Sequence, residues 1–437
     1  MISHKRPRMI VLGLDGLPHS LAKDLTARHD LPGIKALLQM QASHPIRSDL
    51  PELSPVNWTS FYTASGPETH GIFGFTELDP KRYTLYFTDS TQVRCESVFD
   101  ELGREGRFCK IINLPGTYPA WPVHGILVSG FPAPELSGAV HPKIMGTMLA
   151  SEGYKLEADT RQGRLEAEHL FSELHATLRS RQRALELFWP DLAFDLFVLV
   201  LTEMDRMGHF FFPSLRDEND PWHGHCLEVV HRMDRLLQEV LERYEALPEP
   251  KRLLALADHG FAELATEVDV NAWLNEAGLL HLQGEPESET DASVIGPGSK
   301  ALALDPGRIV MHRADRFAKG SLSPAEASSL REEIADALSG LTRGEEPVFE
   351  DVLRGEDIYP DCPFPHMPDL VCLPSRGYDL KAKFNRGDVF GHFGRTGAHT
   401  ADDAFFADSS GADVSTVRQT GQEMLNFFRQ PQNLIIT

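Results

Sequence analysis

Three apolar runs in this 437-residue chain each end on an aspartate: RMIVLGLD at Asp15, LFVLVLTEMD at Asp205 and RLLALAD at Asp258. Short apolar runs without alternation read as buried strands. In an open α/β sheet, ligands gather outside the carboxyl ends of the strands. Two of these aspartates bring a histidine: His209 lies four residues after Asp205, and His259 follows Asp258 directly. Three carboxylates and two imidazoles delivered to one sheet edge point to a metal site, and so to a metal-dependent hydrolase.

Composition narrows the class. Hydrophobic content of 41% and charged content of 24% are those of a folded globular protein. No apolar run approaches the roughly 18 residues of a membrane span, so no membrane association is expected. The start, MISHKRPRMIVLGLDG, is basic but leads into a core strand rather than a signal-like apolar stretch, and the expected location is the cytoplasm. The five cysteines form no C-x-x-C pair, which favours buried thiols over a disulfide framework or a zinc ribbon. A formal net charge of −22 argues against a nucleic-acid or anionic-membrane surface. A small anionic substrate remains compatible, because two divalent cations would outweigh three aspartates locally. The oligomeric state is left open.

Strands alternate with long helical patterns through the first 260 residues. Helices are expected near 19–28, 31–41, 166–189 and 222–246, with strands near 108–113 and 125–131. The fold class is therefore α/β, a mostly parallel sheet covered on both faces. After Gly260 the character changes. Residues 270–282 read as a helix, 283–299 as an exposed loop, 301–312 as a strand, 323–341 as a helix and 368–374 as a strand. The expected organisation is a core of residues 7–260 and 388–430, with 261–387 as a cap or as an extension of the same sheet.

Among possible nucleophiles, Ser54 stands out. It is expected at the N-cap of a helix with Pro55 in the first turn, where free N–H groups and the positive dipole end favour an anion. A base or a metal would have to activate its hydroxyl. Asn57 lies one turn on, within reach of a substrate oxygen. Asp205 and His209, spaced i and i+4, face one way on a helical turn. Near the end, GHFGRTGAHTADDAFFA offers His392 and His399 as a last histidine ligand.

Taken in order, GLDG (13–16), SPVNWTSFYTASGPETHGIFGF (54–75), TEMDRMGH (202–209), ADHGF (257–261) and GAHT (397–400) resemble the alkaline phosphatase superfamily. The resemblance is greatest to its type I phosphodiesterase/nucleotide pyrophosphatase branch and the bacterial phosphohydrolase/phosphomutase-like relatives. INLPGTYPAWPVHGILVSGFPAP (112–134) is similar to a segment of those relatives. The resemblance implies an alkaline phosphatase-like fold and two metal ions. Asp205, His209 and His399 would hold one; Asp15, Asp258 and His259 would hold the other, with Ser54 as nucleophile and further ligand. Asn57 would bind a phosphoryl oxygen. Serine stands where this branch often has threonine. The sulfatase signature is absent, since Pro55, Val56, Asn57 and Trp58 follow Ser54.

The implied activity is two-metal hydrolysis of phosphate esters through a phosphoserine on Ser54, most of all of diesters. The donor set suits Zn²⁺, with Mn²⁺ and Fe²⁺ as alternatives. A phosphomonoesterase or phosphotransferase could use the same site, and a non-catalytic metal-stabilised binding protein is the rival of another class. Candidate substrate contacts are Trp58, Phe61, Tyr118, Arg206 and Phe210 to Phe212. Lys381, Lys383 and Arg386 form a small basic cluster that could greet an anion.

Overall fold

The computed structural model describes residues 6–430. Its centre is an eight-stranded sheet in the order Ala42–Ile46, Ala404–Asp408, Lys251–Leu256, Arg8–Leu14, Leu196–Leu201, Cys109–Leu114, Gly125–Ser129 and Val140–His141. The five strands from Lys251–Leu256 to Gly125–Ser129 run parallel. Antiparallel pairings close both ends. Leu196–Leu201 and Cys109–Leu114 are buried at every position, as expected for strands covered on both faces.

The covering helices carry apolar stripes at helical spacing. In His223–Glu245 the buried side chains include Val229, Val230, Met233, Leu236, Leu237 and Val240. Asp234 lies in the same stripe, and its carboxylate accepts the Ile34 N–H at 2.8 Å, docking the short helix Pro32–Leu38. Ser54–Thr63 is buried along its whole length and lies against Val417–Arg429. No helix among the described residues is long and apolar enough to cross a membrane.

Between residues 260 and 400 the strands pair among themselves rather than with the central sheet. One antiparallel sheet runs Ala301–Leu304, Arg308–Met311, Leu370–Pro374, Phe349–Arg354. Another joins Tyr378–Lys381, Thr266–Asp269 and Phe390–Gly391. They share a second hydrophobic cluster, which Leu78 and Tyr83 from the hairpin near residue 80 also enter.

Several boundaries depart from the sequence reading. The strand before Asp205 ends at Leu201, and Asp205 itself sits in the first turn of the helix Glu203–Arg216. The segment 301–312 is two strands, broken by a turn at Asp305–Gly307. The helix from Val270 stops at Glu276. Within 283–299, Ala292, Val294 and Ile295 are buried, because that loop closes the second cluster.

Candidate active site

Neighbouring strands in register deliver the carboxylates together. Gly13 pairs with Leu256 on one side and Val200 on the other, so the three chains leave the sheet at one edge. Asp15 follows its strand directly, and Asp258 lies two residues beyond its own. Gly16 turns the chain back at φ +67°, with its N–H donating to Asp258 Oδ1 at 3.2 Å. A Cβ on Gly16 would lie 2.9 Å from the Asp205 backbone, so only glycine lets the aspartates converge.

The histidines arrive by a second route. The strand Gly260–Glu263 pairs antiparallel with Gly397–Thr400, setting His399 opposite Phe261. The rings of His259 and His399 then stack at 3.6 Å between centroids. Gly397 allows the helix to approach: a Cβ there would meet the Gly208 carbonyl at 2.2 Å. His209 and His399 thereby come to 3.1 Å between their Nε2 atoms.

Two groups that could each hold a metal ion result: Asp205 with His209 and His399, and Asp15 with Asp258 and His259. In the first, Asp205 Oδ1 lies 3.4 Å from His209 Nε2 and 3.3 Å from His399 Nε2. A tetrahedral ion with bonds of about 2.0–2.1 Å separates its ligand atoms by roughly 3.3 Å. In the second, His259 Nε2 lies 3.3 Å from Asp258 Oδ2 and 3.8 Å from Asp15 Oδ1. Ser54 Oγ approaches the same Nε2 at 3.2 Å.

The electrostatics call for a cation. Asp15 Oδ1, Asp205 Oδ1 and Asp258 Oδ2 are buried without a hydrogen-bond partner. These are the same oxygens that face the imidazoles. Burial, with the charges of Asp258 and Asp205, pushes Asp15 well above the usual carboxylate range. Burial and Asp205 raise Asp258 to about 6. In Asp205 burial is outweighed by His209, Arg206 and His399, and its carboxyl is held low. Burial lowers all three histidines, which favours the neutral form, the one that can give a lone pair to a metal. His259 Nδ1 faces the Gly260 carbonyl at 3.1 Å and His399 Nδ1 the Glu52 carbonyl at 2.9 Å. A proton on each Nδ1 leaves each Nε2 free as a ligand, the usual outer-shell arrangement of metal-bound histidine.

A cleft of about 360 Å³ opens from Ser54, Asp205, His209 and His399. Its lining includes the apolar side chains of Phe75, Leu85, Phe87, Phe131 and Phe210 and the cations Lys381, Lys383 and Arg395. Arg206 faces the cleft but is committed: it binds Asp205, reaches Glu157 at 3.2 Å and lies 4.6 Å over the Phe131 ring.

Several sequence-derived candidates need correction. Helix geometry begins at Ser54, with Leu53 at the N-cap, so Ser54 is a first-turn residue. Asn57 has no exposed surface. Its Oδ1 accepts the Asp49 N–H at 2.7 Å, and its Nδ2 faces the carbonyls of Asp49 and Leu53 at 3.1 and 3.2 Å. With both donor hydrogens occupied, it shapes the turn that delivers Ser54 and has none left for a substrate oxygen. Trp58 and Phe61 are core residues, packed edge to face. Tyr118 lies outside the cleft lining, against the position of Gly138. Phe211 and Phe212 are buried, leaving Phe210 as the one ring of that run in the cleft. Arg386 turns away to Glu267 at 3.0 Å. His392 is exposed, whereas His399 joins the ligand set.

The sequence reading missed Arg395. Its Nη1 lies 3.3 Å from His209 Nδ1. Its position four residues before His399, in the same glycine-rich segment, was the available signal.

Among solved structures, phosphonoacetate hydrolase from Sinorhizobium meliloti 1021, in complex with phosphonoformate, aligns with a TM-score of 0.60 at 14% identity, over 94% of this chain and 92% of that one. Murine ectonucleotide pyrophosphatase/phosphodiesterase 5 aligns with a TM-score of 0.59 at 13% identity, over 98% and 97%. At such identities these likenesses concern the fold. No curated protein sequence matches the chain. The type I phosphodiesterase / nucleotide pyrophosphatase family pattern matches residues 9–402. The chain, with its paired Asp/His sets at the edge of a largely parallel sheet, therefore belongs to that family of phosphoester hydrolases.

Proposed function

We propose that this protein is a two-metal phosphodiesterase with Ser54 as its nucleophile. One observation carries the reading: two three-residue ligand sets meet side by side, and Ser54 Oγ touches His259 of one of them. Bound divalent ions, Zn²⁺ by the donor chemistry and Mn²⁺ or Fe²⁺ otherwise, would lower the Ser54 pKa and stabilise charge on the phosphoryl oxygens.

The protein's own groups supply position. Ser54 lies in the first turn of a buried helix, where backbone N–H groups and the dipole favour a phosphoryl group. Asn57 fixes the turn before it. Ser54 gives up its hydroxyl proton to water and its Oγ attacks phosphorus, a new P–O bond forms, and the bond to the leaving oxygen breaks, that oxygen taking a proton from water. Water then releases the phosphoryl group from Ser54. The apolar wall of Phe75, Phe87, Phe131 and Phe210 gives a second ester arm a surface to lie on, which favours diesters over monoesters. Cys95, Cys109, Cys362 and Cys372 are free thiols, which fits a cytoplasmic setting.

The test is turnover of bis-p-nitrophenyl phosphate beside p-nitrophenyl phosphate by the zinc-reconstituted protein, with Ser54→Ala as control. A diester preference that vanishes in the variant is expected. A monoester preference would move the assignment to a phosphatase or phosphotransferase, and undiminished turnover by Ser54→Ala would remove Ser54 as nucleophile.

A further inference from the structure

Four cations line the cleft, and three of them are already held. Arg206 binds Asp205 and Glu157, Lys381 binds Asp379 at 2.7 Å, and Lys383 binds Asp305 at 2.6 Å. Arg395 differs. Among the described residues its nearest carboxylate oxygen is that of Asp379 at 3.6 Å, on a group that already holds Lys381. Its side chain is 37% exposed. Its other neighbour is His209 Nδ1. When His209 offers Nε2 as a ligand, Nδ1 carries the proton. Guanidinium and Nδ1–H are then both donors and cannot bond to each other. Arg395 is thus the most loosely paired of the four cations, its fork meeting only a carboxylate at 3.6 Å that Lys381 already holds.

Its position gives it a role. Ser54 borders His259 of one ligand set, while Arg395 borders His209 of the other. In an in-line displacement the leaving oxygen departs opposite the nucleophile. The departing group therefore emerges on the Arg395 side. One loosely paired guanidinium matches one planar anion of single charge, which it can bind through two parallel N–H···O contacts. Glu52, Glu157 and Asp379, also in the cleft, weigh against a more highly charged group there.

We propose, resting on the phosphodiesterase reading, that Arg395 selects substrates whose leaving group carries a carboxylate. Arg395 takes no part in bond making: Ser54 gives up its hydroxyl proton to water as the Ser54–phosphorus bond forms, the bond to the leaving oxygen breaks, and that oxygen gains a proton from water. The carboxylate binds Arg395 before and after the step.

The experiment compares kcat/KM of the zinc-loaded full chain on methyl 3-carboxy-4-nitrophenyl phosphate and methyl 4-nitrophenyl phosphate. Wild type, Arg395→Gln and Arg395→Lys are measured side by side. The intrinsic reactivity of the two phenols cancels when the carboxylate-to-plain ratio is compared between variants. That ratio is expected to fall about tenfold in Arg395→Gln and to be partly restored in Arg395→Lys. An unchanged ratio in Arg395→Gln overturns the proposal. If wild type turns over neither ester, the phosphodiesterase reading fails separately. Arg395 is then judged by calorimetric binding of 3-phosphonopropionate beside propylphosphonate. Tighter binding of the carboxylated probe, lost in Arg395→Gln, supports the assignment, and equal binding by wild type overturns it.

Discussion

Asp15, Asp258 and His259 leave the ends of neighbouring parallel strands, whereas His209 and His399 are drawn from a helix and from a strand 190 residues further along the chain. The first set is held by the sheet itself: its positions follow once the strands are in register, and its side chains are at most 3% exposed. The second depends on the antiparallel pairing of Gly260–Glu263 with Gly397–Thr400, and its histidine side chains are 10% and 12% exposed. Ser54 belongs to the buried half and Arg395 to the outer one. The difference suggests a division of work, with the buried half fixing the nucleophile and the outer half meeting the part of the substrate that varies.

The largest effect is expected from Ser54→Ala, which should lower diester turnover by at least roughly 10³-fold while zinc content, counted by mass spectrometry, stays at the wild-type value. Parallel loss of metal would instead make Ser54 chiefly a ligand and blur the distinction between halves.

Single-histidine variants sharpen the same comparison. His399→Ala should lose one zinc equivalent and about 100-fold in turnover, whereas His259→Ala should lose the other equivalent. His392→Ala should keep both. Under graded chelation of wild type, the more exposed set should empty first. Loss of both ions together at every chelator concentration would show that the halves act as one unit.

Acid should act on the support of the buried half. His70 sits against the helix Ser54–Thr63, its Nε2 3.1 Å from Ser60 Oγ and its Nδ1 accepting the Ile72 N–H at 3.1 Å. Burial, reinforced by Arg418, lowers its pKa to about 3. The folded form thus keeps His70 neutral, while the unfolded chain protonates it below the ordinary value of 6.5. Stability should therefore fall as the pH drops from there toward 3, by at most about 1.4 kcal/mol per unit from this group. Denaturation midpoints of His70→Gln should show a flatter acid limb; an equally steep one would exclude His70 as the source.

Asn57→Ala should show the smallest effect on chemistry. Removing its amide strands the buried Asp49 N–H and should cost about 1–3 kcal/mol of stability. Turnover per folded molecule should fall far less than in Ser54→Ala. A large loss of kcat with unchanged stability would return Asn57 to a substrate-binding role.

Much of the frame was legible in the chain. Apolar runs such as RMIVLGL and RLLALA are long enough to need burial on both faces, and that burial makes a parallel sheet with helices on either side. The aspartates and His259 follow those runs closely, so their convergence at one edge could be read from the pattern. His399 carried no such mark of its own beside His392; only its place in an ordered set of motifs separated them. Trp58, Tyr118 and Asn57 were misplaced because an aromatic ring or an amide near a catalytic segment reads alike whether it faces a core or a cleft.

Residue order and hydrophobic spacing by themselves determined the five parallel strands at the centre of the sheet and the donors that follow them, because such information is local. Tertiary structure alone decided which way Asn57 turns, which ring of Phe210 to Phe212 faces the cleft, and which cation there is the most loosely paired. Those outcomes depend on contacts between segments as distant as His209 and Arg395, and on backbone approaches at Gly16 and Gly397 that leave no room for a side chain.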